Sequence, residues 1–165
     1  MPRWAVLGTD AFDAALAAAG VSISEAPLTL AERLREAASA ETALRELTIP
    51  PAEIRDAVAA ALEYVDAETV AVRSSGGRQE DGDRDSFAGL FDTFLNVAGL
   101  DATEDAVRRC WASAFFSQRA TQYRHVRGLD FHDVALAVVV QRSLTPRSSG
   151  SCSPRTRSRV RQTAS

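Results

Sequence analysis

The segment from Arg73 to residue 89 carries the side chains in this sequence that are best suited to chemistry. A guanidinium at the end of a strand can hold two phosphate oxygens at once. Hydroxyl groups and glycine backbone N–H groups placed directly after it can supply further donors to an anion. The donors that follow Arg73 are Ser74, Ser75, Gly76 and Gly77. Taken alone, the same pattern also fits a surface arginine before an ordinary glycine-serine turn, so both interpretations stay open here.

Acidic residues occupy the middle of the same segment. They are Glu80, Asp81, Asp83 and Asp85. Oxygen ligands of this kind can bind a metal ion, but acids spread through a glycine-rich stretch are more typical of a solvated loop, and we predict no metal ligands. The two cysteines, Cys110 and Cys152, lie far apart and match no metal or redox spacing.

The elements that must position these residues are a mixture of strands and helices. Residues 69–72 form a β-prone run that ends at Arg73, and residues 74–86 are predicted to be a loop. Residues 91–97 alternate as a second strand, and residues 134–140 are almost all apolar, which predicts a strand covered on both faces. Helical spacing is found over residues 9–19, 28–47, 51–65, 101–115 and 117–127.

The helix that begins near residue 101 has two predicted features. Asp101 and Glu104 have the spacing of a capping box. Its apolar stripe, predicted to lie in the core, consists of Val107, Cys110, Trp111, Ala114 and Phe115. Arg108 and Arg109 lie opposite this stripe, and we predict that both are surface residues.

Length and composition limit the class of protein. The 165 residues fit one domain, no apolar run approaches the ~20 residues that cross a bilayer, and the N-terminus lacks the pattern of a signal peptide. We therefore predict a cytoplasmic protein with no membrane partner. All 19 basic residues are arginine. Residues 143–165 contain five of these arginines, no acids and few large apolar residues, which predicts a disordered basic tail.

The stretch VAVRSSGGRQEDGDRDSFAGLFDTFLNVAG carries a family resemblance. It is similar to the nucleotide-binding domain of phosphoenolpyruvate synthase, pyruvate phosphate dikinase and rifampicin phosphotransferase. The blocks that match are Val72–Ser75, Glu80–Asp81, Ser86–Gly89 and Leu95–Val97, followed by AVRRCWASAF and DVALAVVVQR. Their order and spacing extend the resemblance over residues 2–142, most weakly over 21–66. The loop after Ser75 is about one residue longer than the usual family form.

The resemblance implies a fold, ligands and a site. The fold would be α+β, part of the first lobe of an ATP-grasp domain, and the ligands would be ATP and Mg²⁺. The nucleotide-binding residues would be Arg73, Ser74, Ser75, Gly76, Gly77, Ser86 and Gly89. The family transfers a phosphoryl group from ATP, in the synthase toward pyruvate, through a histidine on another domain. Neither His125 nor His132 has that domain's surrounding sequence, and both are predicted to be structural or exposed.

The resemblance also implies that segments of the family are missing here. The family's lysine-containing segment, second lobe and phosphohistidine domain have no counterpart in this sequence, so we expect a fragment that is inactive alone and contributes no catalytic residue. A separately encoded remainder of the enzyme is one possible partner. Alternatively, the arginine-rich tail binds polyanions, although nucleic acid is disfavoured because the tail has no aromatic residues for stacking.

The chain is thus divided into residues 1–142, a partial ATP-binding domain, and residues 143–165. Shifting the reading frame of permitted codons across 143–165 gives a sequence similar to the family's continuation, Gly-Val-Leu-Phe-Thr and then Asp-Pro-Val-Thr-Gly. We hypothesise that this tail is an out-of-frame reading of the same gene. Resequencing the locus tests the hypothesis, because an intact frame that ends at the same stop codon contradicts it.

Overall fold

The computed structural model describes residues 2–47, 51–76, 91–129 and 136–144. The predicted α+β class is confirmed, since these residues form an antiparallel four-stranded sheet and a set of helices. The strands are β1 (Trp4–Leu7), β2 (Val70–Gly76), β3 (Thr93–Val97) and β4 (Leu136–Arg142). The helices are α1 (Thr9–Ala18), α2 (Leu30–Arg45), α3 (Ala52–Val65), α4 (Leu100–Trp111) and α5 (Gln118–Arg127), with a π-helical segment, Ala112–Phe116, between α4 and α5.

Several predictions concern residues outside these ranges. They include the site residues Gly77, Ser86 and Gly89, the four acidic residues of the same segment, His132, Cys152 and the tail from residue 145 onward. No helix among the residues placed in the structure is long and apolar enough to cross a bilayer.

The sheet has the strand order β1-β4-β2-β3, so the last strand in the chain lies in the middle. Strand β4 pairs with β1 through Val6 and Val139, and with β2 through Arg73 and Val139. Strand β3 pairs with the other edge of β2, with Thr93 opposite Arg73. Because all three pairings are antiparallel, residues directly opposite each other project from the same face. The register therefore fixes which side chains share each face.

The inner face of the sheet packs against the helices and forms the core. Leu7, Val72, Val138 and Val140 are all buried on this face. Trp111 of α4 is fully buried behind them, with its ring 5.9 Å from that of Phe12 of α1. Each such side chain contributes roughly 1.5–3 kcal/mol of transfer free energy on burial, so packing of the helices on this face is a major favourable term in folding.

The predicted burial of the last strand on both faces is wrong. In β4, Leu136, Val138 and Val140 are buried, whereas Ala137 and Val139 are only partly buried. On the adjacent strand β1, Trp4 and Val6 are 57% and 49% exposed. The apolar run is thus a half-covered antiparallel strand, because helices pack on one face of the sheet only, among the residues described.

The predicted loop begins too early. Residues Ser74, Ser75 and Gly76 continue β2 and pair with β4, opposite Val138, Ala137 and Leu136 respectively. Glycine and serine are poor strand formers on propensity alone. Pairing with residues 136–138 of β4 extends the strand, and this partner is distant in the sequence.

The start of α4 also differs from its prediction. Gly99, with φ of 81°, precedes the helix, and no side chain caps it. Asp101 and Glu104 instead accept hydrogen bonds from Arg55 of α3, each at 2.8 Å. Arg108 was expected at the surface, but its side chain is only 14% exposed and it donates to the Leu47 carbonyl. Charged residues of α4 therefore connect this helix to α3 and to the segment that follows α2. By contrast, Ser117 caps α5 as the sequence predicts, accepting from the Ala120 N–H.

Candidate functional site

The outer face of the sheet, opposite the helices, carries the predicted site residue Arg73. Its side chain is exposed, and its direct cross-strand neighbours are Val139 on β4 and Thr93 on β3. Two residues before Arg73 on the same strand, Ala71 lies opposite Gln141. This face thus has an apolar half on β1 and β4 and a polar half on β2 and β3.

The polar half of the outer face forms an open groove of about 450 Å³. We call it the Arg73 groove. Its lining residues are Ala71, Arg73, Thr93, Leu95, Asn96, Gln141, Arg142, Ser143 and Leu144. Arg73 places its charge on this face, whereas Arg142 lies opposite the buried Val70 and therefore projects from the other face at the end of the sheet. None of the lining residues is acidic, so Arg73 gives the groove a positive potential that favours an anionic ligand.

The guanidinium of Arg73 has no charged partner among the described residues. Neither Arg73 nor Arg142 forms an ion pair or a side-chain hydrogen bond with any residue in the described ranges. Six other arginines are paired with carboxylates, namely Arg3, Arg33, Arg45, Arg55, Arg108 and Arg109. The charge of Arg73 is therefore not compensated by a carboxylate of the described residues.

Strand geometry separates the predicted site residues. Arg73 and Ser75 lie two residues apart on β2 and project from the outer face. Ser74 projects inward, opposite the buried Val138, and its hydroxyl is buried without a hydrogen-bond partner in the described part of the chain. Gly76 is part of the strand. The predicted continuous set of donors from residue 74 onward is therefore not formed over residues 74–76, because successive side chains of β2 project from opposite faces of the sheet.

The groove contains residues that the sequence analysis did not single out. Thr93, Gln141 and Asn96 supply a hydroxyl and two carboxamides beside Arg73. Thr93 and Asn96 lie on β3 and Gln141 lies on β4, and only the register of β2 with β3 and β4 brings them into one groove with Arg73. The alternation of Phe91 to Val97 was visible in the sequence and placed Thr93 on one face, but the sequence did not show which strand it would pair with.

A buried thiol lies beneath β2, on the inner face. Cys110 of α4 approaches the backbone carbonyls of Val72 and Asp92, with its Sγ 3.7 Å from each oxygen. Burial, together with the negative charge of Asp92, raises the pKa of the Cys110 thiol to about 12. The residue is therefore a neutral packing group that supports the strand carrying Arg73, and it has no nucleophilic role.

The described lining of the groove does not fit a protein-held magnesium site. Mg²⁺ prefers oxygen ligands and is usually bound by one or two carboxylates together with substrate phosphates, and the described lining of the groove offers no carboxylate. No cluster of three or more potential metal ligands occurs elsewhere among the residues with described positions. No protein ligand for the ion is assigned.

The described residues form a small α+β unit with an open groove around Arg73 on one face of its sheet. The sequence profile of the family "Pyruvate phosphate dikinase, AMP/ATP-binding domain" matches residues 2–163. The chain belongs to this family of ATP-binding domains of phosphotransferases, which confirms the resemblance drawn from the sequence.

Individual relatives carry two kinds of name. A rifampicin phosphotransferase of a Streptomyces species is 43% identical over 127 residues, which cover 76% of this chain and 14% of the relative. A probable phosphoenolpyruvate synthase of Pyrococcus abyssi is 42% identical over 106 residues, covering 61% of this chain and 13% of the relative. The phosphoenolpyruvate synthase of Pyrococcus furiosus is 47% identical over 81 residues, covering 49% and 10%. The chain thus spans only a small part of the proteins that it matches.

Proposed function

We propose that the Arg73 groove binds the phosphate chain of ATP, as the first-lobe part of an ATP-grasp site. The observation that carries this proposal is the exposed guanidinium of Arg73, which forms no ion pair with a described residue and lies in a groove whose described lining has no acidic residue. The family to which the chain belongs is an AMP/ATP-binding domain. Among the described residues, helices cover one face of the antiparallel sheet, and the other face is accessible to a nucleotide.

Each residue of the groove has a definable part in binding. The planar guanidinium of Arg73 can donate two parallel hydrogen bonds to phosphate oxygens. Val139 and Thr93 flank it on the neighbouring strands and restrict its lateral movement, and the hydroxyls of Thr93 and Ser75 lie on the same face as further donors. Fixed positive charge on the phosphates stabilises the charge that develops during phosphoryl transfer.

The wider reaction is a proposal that rests on the relatives. Their names, rifampicin phosphotransferase and phosphoenolpyruvate synthase, describe phosphoryl transfer to different acceptors. Nothing in the Arg73 groove discriminates between these acceptors, because all its described features concern the phosphate donor. We propose that this chain contributes the ATP-binding step of such a transfer, with Mg²⁺ carried on the nucleotide and the acceptor bound by other segments, in the same or a separate chain.

The test is calorimetric titration of the full chain with ATP, with and without Mg²⁺. Arg73→Ala removes the bidentate donor, and we expect at least a tenfold weaker affinity, because a hydrogen bond to a charged group contributes about 1.5–3 kcal/mol. Arg35→Ala is the matched control, since Arg35 is an exposed arginine on α2 that does not line the groove. Equal affinities of the wild type and Arg73→Ala would contradict the proposal. So would a folded wild-type protein that shows no saturable binding.

A further inference from the structure

The pairing of β2 with β3 is irregular where the strands border the Arg73 groove. Val72 lies opposite Phe94 and Val70 lies opposite Val97. The single residue Ala71 therefore faces two residues, Leu95 and Asn96, which is the definition of a β-bulge. Bulges change the direction in which side chains project, and they are common beside binding sites. Here the bulge places both Leu95 and Asn96 in the lining of the groove.

Asn96 has a backbone conformation that few residues tolerate. Its φ is 56°, and it is one of only two non-glycine residues with positive φ among those described. Glycine would occupy this position without strain, whereas asparagine tolerates it at a small cost. The side chain is exposed, and no hydrogen bond joins its carboxamide to another residue in the ranges described. The backbone at Asn96 is thus in an unfavourable conformation, and no hydrogen bond of its side chain to a described residue compensates for this.

The two ends of the groove differ in chemistry. Arg73 and Thr93 form a cationic, hydroxyl-bearing end. Three residues along β3, about 10 Å away at the usual strand rise, the lining combines two leucines with the carboxamides of Asn96 and Gln141 and with Arg142 and Ser143. The two leucines, Leu95 and Leu144, are each 68% exposed. Phosphates belong at the first end, and a flat, partly apolar ring with a polar edge suits the second.

We infer that Asn96 recognises the base of the bound nucleotide and thereby selects adenine over guanine. This inference rests on the proposed function, because it takes the phosphates to lie at Arg73. A carboxamide offers one donor and one acceptor side by side. The N6 and N7 edge of adenine presents the complementary acceptor and donor, whereas guanine presents two acceptors, O6 and N7, at the same edge. Asparagine therefore matches adenine and leaves its own carbonyl facing an acceptor in guanine.

The experiment compares three ligands on the full chain, namely ATP, GTP and inorganic tripolyphosphate, by calorimetric titration. The wild type is compared with Asn96→Gly, which removes the carboxamide and fits a φ of 56° without strain. A second variant, Asn96→Asp, keeps the size and the tolerance of positive φ but loses the N–H donor. Thermal melting of each variant confirms that the lobe remains folded.

We expect the wild type to prefer ATP over GTP. In Asn96→Gly the ratio of the two affinities should fall by about tenfold or more, the discrimination typical of one bidentate pair. Binding of tripolyphosphate should change by less than twofold, because the phosphate end is intact. Asn96→Asp should weaken ATP binding, because its carboxylate cannot donate to N7 and adds negative charge near the ligand.

Four results would overturn the inference. If the ATP-to-GTP ratio is the same in Asn96→Gly and in the wild type, Asn96 does not recognise the base. If ATP, GTP and tripolyphosphate all weaken equally, the residue acts on the shape of the groove and not on the base. If the folded wild type binds none of the three ligands, the proposed function fails together with the inference, whereas a wild type that binds all three without preference overturns the inference alone.

Discussion

Arg73 and Ser74 are adjacent in the sequence, but their side chains project from opposite faces of the sheet. Arg73 lies on the open face between Val139 and Thr93. Ser74 faces the helices, opposite the buried Val138, with its Oγ excluded from solvent. The resemblance to the family assigns both residues to one site, but an extended strand cannot present consecutive side chains to one ligand.

The two serines of β2 should therefore respond differently to substitution. Ser75→Ala removes an outer-face hydroxyl, and we expect ATP affinity to fall about fivefold, the effect of one neutral hydrogen bond of about 1 kcal/mol. Ser74→Ala should leave ATP affinity unchanged, because the hydroxyl lies under the sheet. It should also raise the free energy of unfolding by about 1 kcal/mol by removing a buried hydroxyl without a described partner. Parallel titrations and urea denaturation measure both effects. Loss of ATP binding in Ser74→Ala alone would contradict this assignment.

A second prediction concerns the link between α3 and α4. The Arg55 guanidinium donates to Glu104, whose side chain is 5% exposed, and to Asp101, whose side chain is 87% exposed. These hydrogen bonds, to Asp101 first and then to Glu104, raise the pKa of Arg55, so it stays charged throughout the accessible pH range. Removing Arg55 leaves the buried Glu104 carboxylate without its cationic partner, which lowers the stability of the protein. The exposed ion pair with Asp101 contributes little to stability.

We therefore expect Arg55→Met to lower the melting temperature clearly and Asp101→Asn to leave it almost unchanged. The double variant Arg55→Met with Glu104→Met should recover most of the loss, because it removes the unpaired charge and keeps the volume. Thermal melts of the four proteins at neutral pH provide the measurement. Equal effects of Arg55→Met and Asp101→Asn would show that burial of Glu104 does not matter.

The sequence predicted the positions of the helices and strands better than it predicted which of them contact each other. Helical spacing located α2, α3 and α5, and the helix cap Ser117 was correct, because these signals are local. The family resemblance identified Arg73 as a site residue, and the structure places it in an open groove. Thr93, Gln141 and Asn96 could not be predicted as its neighbours, since their proximity depends on strand register between distant segments. The capping-box prediction for Asp101 and Glu104 was wrong for the same reason, because Arg55, which binds both, is far away in sequence.

A third prediction follows from the thiol of Cys110. Burial raises its pKa to about 12 from a reference value of 9.0, and reactivity toward thiol reagents depends on the thiolate. In a Cys152→Ser variant, where Cys110 is the only cysteine, we expect negligible labelling by a maleimide at pH 8 in the native state and one labelled thiol in denaturant. Rapid native labelling would show that α4 and β2 separate readily.

The same shift predicts a pH dependence of stability with a definite sign. A pKa that is raised in the folded state means that the neutral thiol is favoured by folding. This contribution is fully present below pH 9.0 and is lost as the pH rises toward about 12, because only the unfolded chain ionises in that interval. Urea midpoints of the wild type should therefore fall more steeply above pH 9 than those of a Cys110→Ala variant. Identical slopes would contradict the assigned shift.

The last prediction compares two adjacent valines of β4 that lie on opposite faces. Val138 is fully buried against the helices, whereas Val139 is partly exposed and flanks Arg73 on the open face. Val138→Ala removes two methyl groups from a packed core and leaves a cavity, so we expect a loss of roughly 2 kcal/mol in the free energy of unfolding. It should leave the ATP affinity of the folded protein unchanged.

Val139→Ala should cost less than half as much in stability and should weaken ATP binding, because the guanidinium of Arg73 loses the neighbour that restricts it. Urea denaturation and calorimetric titration of the two variants separate these effects. If Val138→Ala and Val139→Ala destabilise the protein equally, the outer face is covered in solution, and the Arg73 groove is not open to a ligand.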